Sequence, residues 1–171
     1  MGGRDVVDVN IRPAAASDAD AIAGLWQALV DFHHTLDEDL PGAAFNGAQR
    51  YARRLVQRLD DPFTRALVAE REGRVIGYVL GMVIDLVPDV FDQEPAGFLA
   101  DIYVHPDFRR VGIGRALVTA WLDWLRGQRV RYFDWHVAAK NQEALAFWRT
   151  MGGRNVMIRM RADLSPKDDE P

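Results

Sequence analysis

The chain has 171 residues, 49% of them apolar, which is enough for one compact domain with a substantial core. A net charge of −4 argues against general nucleic-acid binding, and the lack of cysteine excludes disulfides, thiolate metal sites and a thiol nucleophile. No apolar run reaches the roughly 18 residues of a membrane span, and the first ten residues carry no signal-peptide-type run, so a cytoplasmic location is expected.

In chain order, Val6 to Arg12 (VVDVNIR) reads as a first strand stopped by Pro13. Ser17 is placed to cap a helix in which Ile22, Leu25, Trp26 and Leu29 follow helical spacing to about Phe32. After a break at Pro41-Gly42, a second helix is predicted over Gly47 to Leu59, with Tyr51, Leu55 and Leu59 on one face. Thr64 to Arg71 and Arg74 to Ile84 read as a hairpin about Glu72-Gly73. A loop with Pro88 and Pro95 leads to a strand over Phe98 to Val104, closed by His105-Pro106. A glycine-bearing stretch then opens a helix carrying Leu117, Val118, Trp121, Leu122 and Leu125. Tyr132 to Val137 is a predicted strand, Asn141 to Thr150 a short helix, and Asn155 to Arg161 (NVMIRMR) a last strand. The order β-α-α-β-β-β-α-β-α-β mixes hairpins with crossover helices, which predicts a mixed α/β sheet. The expected domain spans residues 1–164, and the polar, Pro-bounded tail 165–171 is expected to be disordered.

The stretch FRRVGIGRAL, Phe108 to Leu117, sits between a strand and a helix. It lacks the Gly-Lys-Ser/Thr ending of a Walker A loop and the third glycine of a dinucleotide fingerprint, since Leu117 stands at both positions. What remains is Arg109, Gly112 and Gly114 in an Arg-x-x-Gly-x-Gly arrangement. A helix start leaves about four amide hydrogens without partners and carries partial positive charge. Glycines let a bulky anion approach the backbone, and Arg109, Arg110 and Arg115 add full charges. The stretch is suited to a diphosphate; the plain alternative is a glycine turn with solvated arginines.

Phe98 to Leu117, FLADIYVHPDFRRVGIGRAL, resembles the central motif of the GNAT superfamily of N-acetyltransferases. His136 to Gly153, HVAAKNQEALAFWRTMGG, resembles that family's second motif through Asn141, Ala144, Trp148 and Gly152. The element order matches from Val9 to Leu164, although the family usually ends in two strands and only one is placed here. The resemblance implies a GNAT-type acyltransferase fold: a mixed, mostly antiparallel sheet with two splayed parallel strands, flanked by about four helices. It implies acetyl-coenzyme A as cosubstrate. The pyrophosphate would meet the amides from Arg110 through Val111, Gly112, Ile113 and Gly114 to Arg115. The pantetheine arm would lie along the strand edge at Ile102, Tyr103 and Val104, in the manner of an added strand. Asn141 would hold the arm from the far side; its plain alternative is a helix cap, and both roles are compatible.

The implied reaction is acetyl transfer to a primary amine by direct attack in a ternary complex. Ser17 and Ser165 are the only serines, one a predicted cap and one in the tail, which disfavours a covalent acyl-enzyme. An ammonium of pKa near 10.4 must lose its proton before attack, so the site needs a proton acceptor. His136 is the first candidate, standing near where one branch of the family has a glutamate base; Asp101 is the second. For both, a structural role is the alternative. Trp148 departs from the family, which usually has a tyrosine acid there, since an indole donates a hydrogen bond but supplies no acidic proton.

The implied partner is an amine acceptor, a small molecule or a peptide or protein lysine, with no nucleic acid, membrane or metal. Asp37, Glu38 and Asp39, with Asp85, Asp89, Asp92 and Glu94, read as an acidic rim or as solvated loops. Arg50, Arg53, Arg54 and Arg58 form a basic stripe. Homodimers are frequent in the family, so a homodimer stands among the open assemblies. The rival readings are a non-catalytic acyl-coenzyme A-binding module and a small α/β domain acting only in assembly.

Overall fold

The computed structural model describes residues 8–85, 94–162 and 164. Val6 and Val7 of the predicted first strand, Pro88, Asp89 and Asp92 of the loop, and the tail 165–171 lie outside the described residues. The elements are β1 (Asn10–Pro13), α1 (Ala19–Leu36), α2 (Gly47–Arg58), β2 (Thr64–Arg71), β3 (Arg74–Ile84), β4 (Ala96–Val104), α3 (Ile113–Arg126), β5 (Phe133–Trp135) and α4 (Gln142–Thr150). They build one five-stranded sheet in the order β1-β2-β3-β4-β5. Neighbours are antiparallel except β4 and β5, which run parallel. This is the α/β, mostly antiparallel sheet with one parallel pair that the resemblance implied. No described helix is long and apolar enough to cross a membrane.

The sheet buries both faces. On one, Ile22, Leu25 and Leu55 of α1 and α2 pack on Val68, Tyr78 and Tyr103. On the other, Leu117, Val118 and Trp121 of α3 and Trp148 of α4 pack on Leu67, Val79 and Leu99. The alternation along each strand sends successive side chains to opposite cores. Trp121 is fully buried over Gly81: a Cβ there would lie 2.3 Å from the indole Cζ2. Gly81→Ala is therefore expected to destabilise the protein by about 2 kcal/mol through overpacking, measurable as a lower denaturant midpoint at unchanged slope.

Three local expectations are corrected. Ser17 does not cap α1; it lies in a short 3-10 turn, and α1 runs on to Leu36. The neighbouring Asp18 has the structural task instead. It accepts two hydrogen bonds from Arg12 at 2.7 and 2.9 Å and one from the Ala15 amide at 2.8 Å. The Arg12 guanidinium holds its carboxyl below the usual carboxylate range. β5 keeps only Phe133 to Trp135 of the predicted Tyr132–Val137, because its neighbour bends away beyond Leu99. The last predicted strand does not form: residues 153–162 carry no regular structure, since no strand lies beside them to supply a ladder.

Candidate active site

The site begins with one extra residue. Leu80 of β3 faces Asp101 and Gly81 faces Leu99, so Ala100 of β4 is a bulge without a partner. In an unbroken strand Leu99 and Asp101 would share a face; the bulge turns them to opposite ones. Leu99 joins the core under α3, whereas Tyr103, two residues beyond Asp101, joins the core under α1 and α2. The bulge also bends β4. Its pairing with β5 stops at Leu99–Trp135, and the edge from Asp101 to Val104 parts from the chain at His136 to Ala138.

A cavity of about 470 Å³ fills the gap. Of the residues singled out in the sequence, it is lined by Asp101, Ile102, Tyr103 and Val104 on one wall, and by His136, Asn141 and Trp148 on the other. Arg109, Arg110, Gly112, Gly114 and Arg115 close one end. Val111 and Ile113 do not line it. Val111 is exposed, Ile113 is buried in the α3 core, and both border a small hollow beside Val9 and Ile11 of the N-terminal strand region.

At that end Gly112 precedes α3 with φ +92°, a left-handed conformation that L side chains rarely adopt. No side chain caps α3, and the amides of Ile113, Gly114 and Arg115 have no acceptor among the described residues. The arginines around them go separate ways. Arg110 (φ +63°) pairs with Glu143 at 3.2 Å, and Arg115 donates to Thr150 Oγ1 at 3.1 Å. Arg109 turns into the cavity, where its Nε donates to the Val104 carbonyl at 2.8 Å and its guanidinium lies 5.0 Å from the Tyr103 ring centre. Unpaired helix-start amides and cations thus meet at one end of an otherwise largely apolar gap.

Asp101 is the half-buried carboxylate of the cavity. Tyr51, brought in by α2, donates its hydroxyl to Asp101 Oδ2 at 2.9 Å. Burial raises the Asp101 pKa above the usual carboxylate range, and the Tyr51 hydrogen bond offsets part of that shift. Tyr51 and Tyr78 are themselves pushed well above the ordinary phenol range, first by burial, so both keep their protons. Tyr51 was visible in the sequence only as part of an apolar helix face. The available signal was its hydroxyl, which needs a partner when the ring is buried. His136 is exposed on the opposite wall, its ring edge-on to Phe98 at 5.5 Å. Asn141 caps α4 by accepting the Ala144 amide at 3.0 Å. Trp148 is buried against Trp135 and Phe147, ring centres 4.5 and 5.1 Å away. Docking of α1 brings Leu29, Val30, Phe32 and His33 to the cavity as well. Burial lowers the His33 pKa.

The acidic rim is partly committed. Asp37 pairs with Lys140 at 3.0 Å, and Glu94 with Arg131 at 3.2 Å.

A splayed parallel pair of strands that opens onto the bare amides of a helix start defines the architecture of an acyltransferase-type fold. Comparison with known proteins agrees. The family model described as acetyltransferase (GNAT) family matches residues 26–152, and the chain belongs to that family. An uncharacterised N-acetyltransferase of Methanocaldococcus jannaschii is 29% identical over 105 residues, 61% of this chain and 44% of that protein. The chain thus matches less than half the length of that curated relative. Among solved structures, a mutant of the BH1408 protein from Bacillus halodurans superposes with a TM-score of 0.81 at 21% identity, covering 91% of this chain and 99% of that one. The aminoglycoside N-acetyltransferase AAC(6')-Iy in complex with CoA does so with a TM-score of 0.70 at 19% identity, covering 95% and 100%.

Proposed function

We propose that this protein transfers an acetyl group from acetyl-coenzyme A to a primary amine by direct attack within a ternary complex. The observation that carries the reading is one cavity joining the bare α3 amides, a β4 edge with no strand beside it on the β5 side and a half-buried carboxylate of raised proton affinity. The residues fit the cosubstrate. The start of α3 suits the diphosphate, with Arg110 and Arg115 at its rim. The edge from Ile102 to Val104, which has no strand beside it on the β5 side and whose Val104 carbonyl accepts from Arg109, suits the amide-bearing arm, bound as an added strand. Asn141, already committed as a cap through Oδ1, has its amide group left to donate.

Of the two proton acceptors read from the sequence, we favour Asp101. A desolvated carboxyl oriented by Tyr51 holds a proton more firmly than a solvated one, and so takes it more readily from an ammonium. A backbone amide near Tyr103 or Val104 is the proposed donor to the developing oxyanion. Trp148 supplies no acidic proton, but a thiol of pKa near 8.5 departs as thiolate. The tryptophan then serves to wall the gap against water. The acceptor would enter over α1, beside Phe32 and His33.

The test is thiol release from acetyl-coenzyme A with an amine panel that includes aminoglycosides, polyamines, amino acids and lysine peptides. Release with at least one amine supports transfer. Binding, seen as a raised melting temperature, with no release from any amine would favour the acyl-coenzyme A-binding module. His136→Ala is expected to change turnover by less than about threefold, against the much larger loss expected when a general base is removed. A loss as large as that from altering Asp101 would return the role to His136.

A further inference from the structure

The sheet face under α1 and α2 carries a polar group that the proposed reaction leaves unused. Tyr78 of β3 is fully buried there, in one cluster with Ile22, Leu55 and Tyr103. Its hydroxyl has no hydrogen-bond partner among the described residues. Buried hydroxyls nearly always find a partner, so an unspent one calls for an explanation. Two other buried donors lack partners, Arg65 Nε and Trp121 Nε1, but both belong with α3. Arg65 lies over the Trp124 ring, and Trp121 sits in the α3 core. Tyr78 is therefore the spare donor on the face that holds Asp101.

The strand register shows what this hydroxyl faces. Tyr78 stands opposite Tyr103 and Leu80 opposite Asp101, with no break between the two pairs. Tyr78 and Asp101 are thus diagonal neighbours on one face, a separation that an aromatic side chain spans. Tyr51 reaches the same place from α2. Its ring stacks on Trp26, centres 4.9 Å apart, and its hydroxyl donates to Asp101 at 2.9 Å. Having donated, the Tyr51 oxygen still has lone pairs free to accept. After burial itself, Tyr51 and then Asp101 do most to raise the proton affinity of Tyr78, so Tyr78 keeps its proton for donation. The remaining titratable groups about Asp101 are turned elsewhere or stand across the cavity. Arg109 holds the Val104 carbonyl and faces the Tyr103 ring, Glu143 pairs with Arg110, and His33 and His136 line the cavity from α1 and from beyond β5. Among the described residues, Asp101 accepts a side-chain hydrogen bond from Tyr51 alone.

We propose that Tyr78 is a positioning residue for the proton acceptor: when Asp101 is ionised, the Tyr78 hydroxyl closes onto the Tyr51 oxygen, making a chain of donors from Tyr78 to Tyr51 to Asp101. The inference rests on the reading of Asp101 as the base. No proton changes owner within the chain, since both phenols stay protonated. The contact polarises the Tyr51 hydroxyl, which then binds the carboxylate more strongly. Protonation of Asp101 removes the charge that draws the chain together, so the spare hydroxyl is spent when the base is in its working form. Tyr78 thus acts on the base only through Tyr51.

The test is titration of the Asp101 carboxyl carbon by NMR in the full chain, for the parent, Tyr78→Phe, Tyr51→Phe and the double variant. Tyr78→Phe is expected to raise the Asp101 midpoint by about half a pH unit, since the carboxylate loses support. The acidic limb of kcat/KM should move by the same amount. In the Tyr51→Phe background the same substitution is expected to move the midpoint by less than about 0.1 pH unit, because the chain is already cut. Denaturant midpoints of all four proteins check that the fold is kept. An unchanged Asp101 midpoint in folded Tyr78→Phe would overturn the proposal. So would an equal shift with and without Tyr51, which would mean that Tyr78 acts on Asp101 directly or through packing. The titration reads the carboxyl without any turnover, so it stands apart from the base reading itself, which the activity of Asp101→Asn decides.

Discussion

Gly112→Asp is expected to weaken acetyl-coenzyme A binding by about a hundredfold, equivalent to about 2.7 kcal/mol. The argument rests on three features of one position. Gly112 is the residue before α3, so a carboxylate there would bond the same amides that the diphosphate would use. It would also repel that diphosphate at the positive end of the helix dipole. The left-handed φ of +92° adds strain for most side chains. Gly112→Asn separates the causes. Asparagine tolerates this conformation and carries no charge, so it should lose less than about tenfold. Calorimetric titration of both variants is the measurement. Undiminished affinity in the aspartate variant would mean that the diphosphate lies elsewhere.

The second large effect is expected at Asp101. Asp101→Asn keeps an oxygen for the Tyr51 hydroxyl and so keeps the local geometry, but removes the proton acceptor. Turnover should fall by about a hundredfold or more, with affinity for acetyl-coenzyme A nearly unchanged. The pH dependence follows from the raised pKa. The base works only when deprotonated, so the acidic limb of the rate profile should lie above the ordinary carboxylate value near 4. Tyr51→Phe removes a hydrogen bond that favours the carboxylate, so the limb should move to still higher pH. Stability carries the opposite sign. Between the ordinary and the raised pKa the folded protein holds this proton and the unfolded chain does not, so stability falls as pH rises through that window. Asp101→Asn should therefore be no less stable than the parent at neutral pH while being far less active. A variant that is both unstable and inactive would point to a structural carboxylate instead.

The cofactor end of the candidate site was legible because its chemistry is local. Strand, glycine turn and helix start are contiguous between Phe98 and Leu117, so the bare amides and the arginines follow from nearest neighbours along the chain. The same holds for Asn141, whose cap spans only to Ala144. Even there, local reading fails by residue. Val111 lies in the turn with its side chain exposed, and Ile113, the first residue of α3, is buried in the core. The ranking of His136 over Asp101 rested on its place in the family's motif and on imidazole chemistry. Their environments, one exposed beside Phe98 and one half-buried against Tyr51, are tertiary facts.

The amino-acid order by itself determined most of the elements, the strand–glycine–helix unit and the class of anion it suits, because periodicity and caps act over a few residues. Only the folded chain decided where the sheet opens. The Ala100 bulge is a mismatch between β3 and β4 that neither strand encodes alone, and it both parts β4 from β5 and turns Asp101 toward Tyr51, 50 residues away. The fate of NVMIRMR was likewise beyond local reading: its alternation specifies a strand, but a strand exists only where a neighbouring edge accepts its hydrogen bonds.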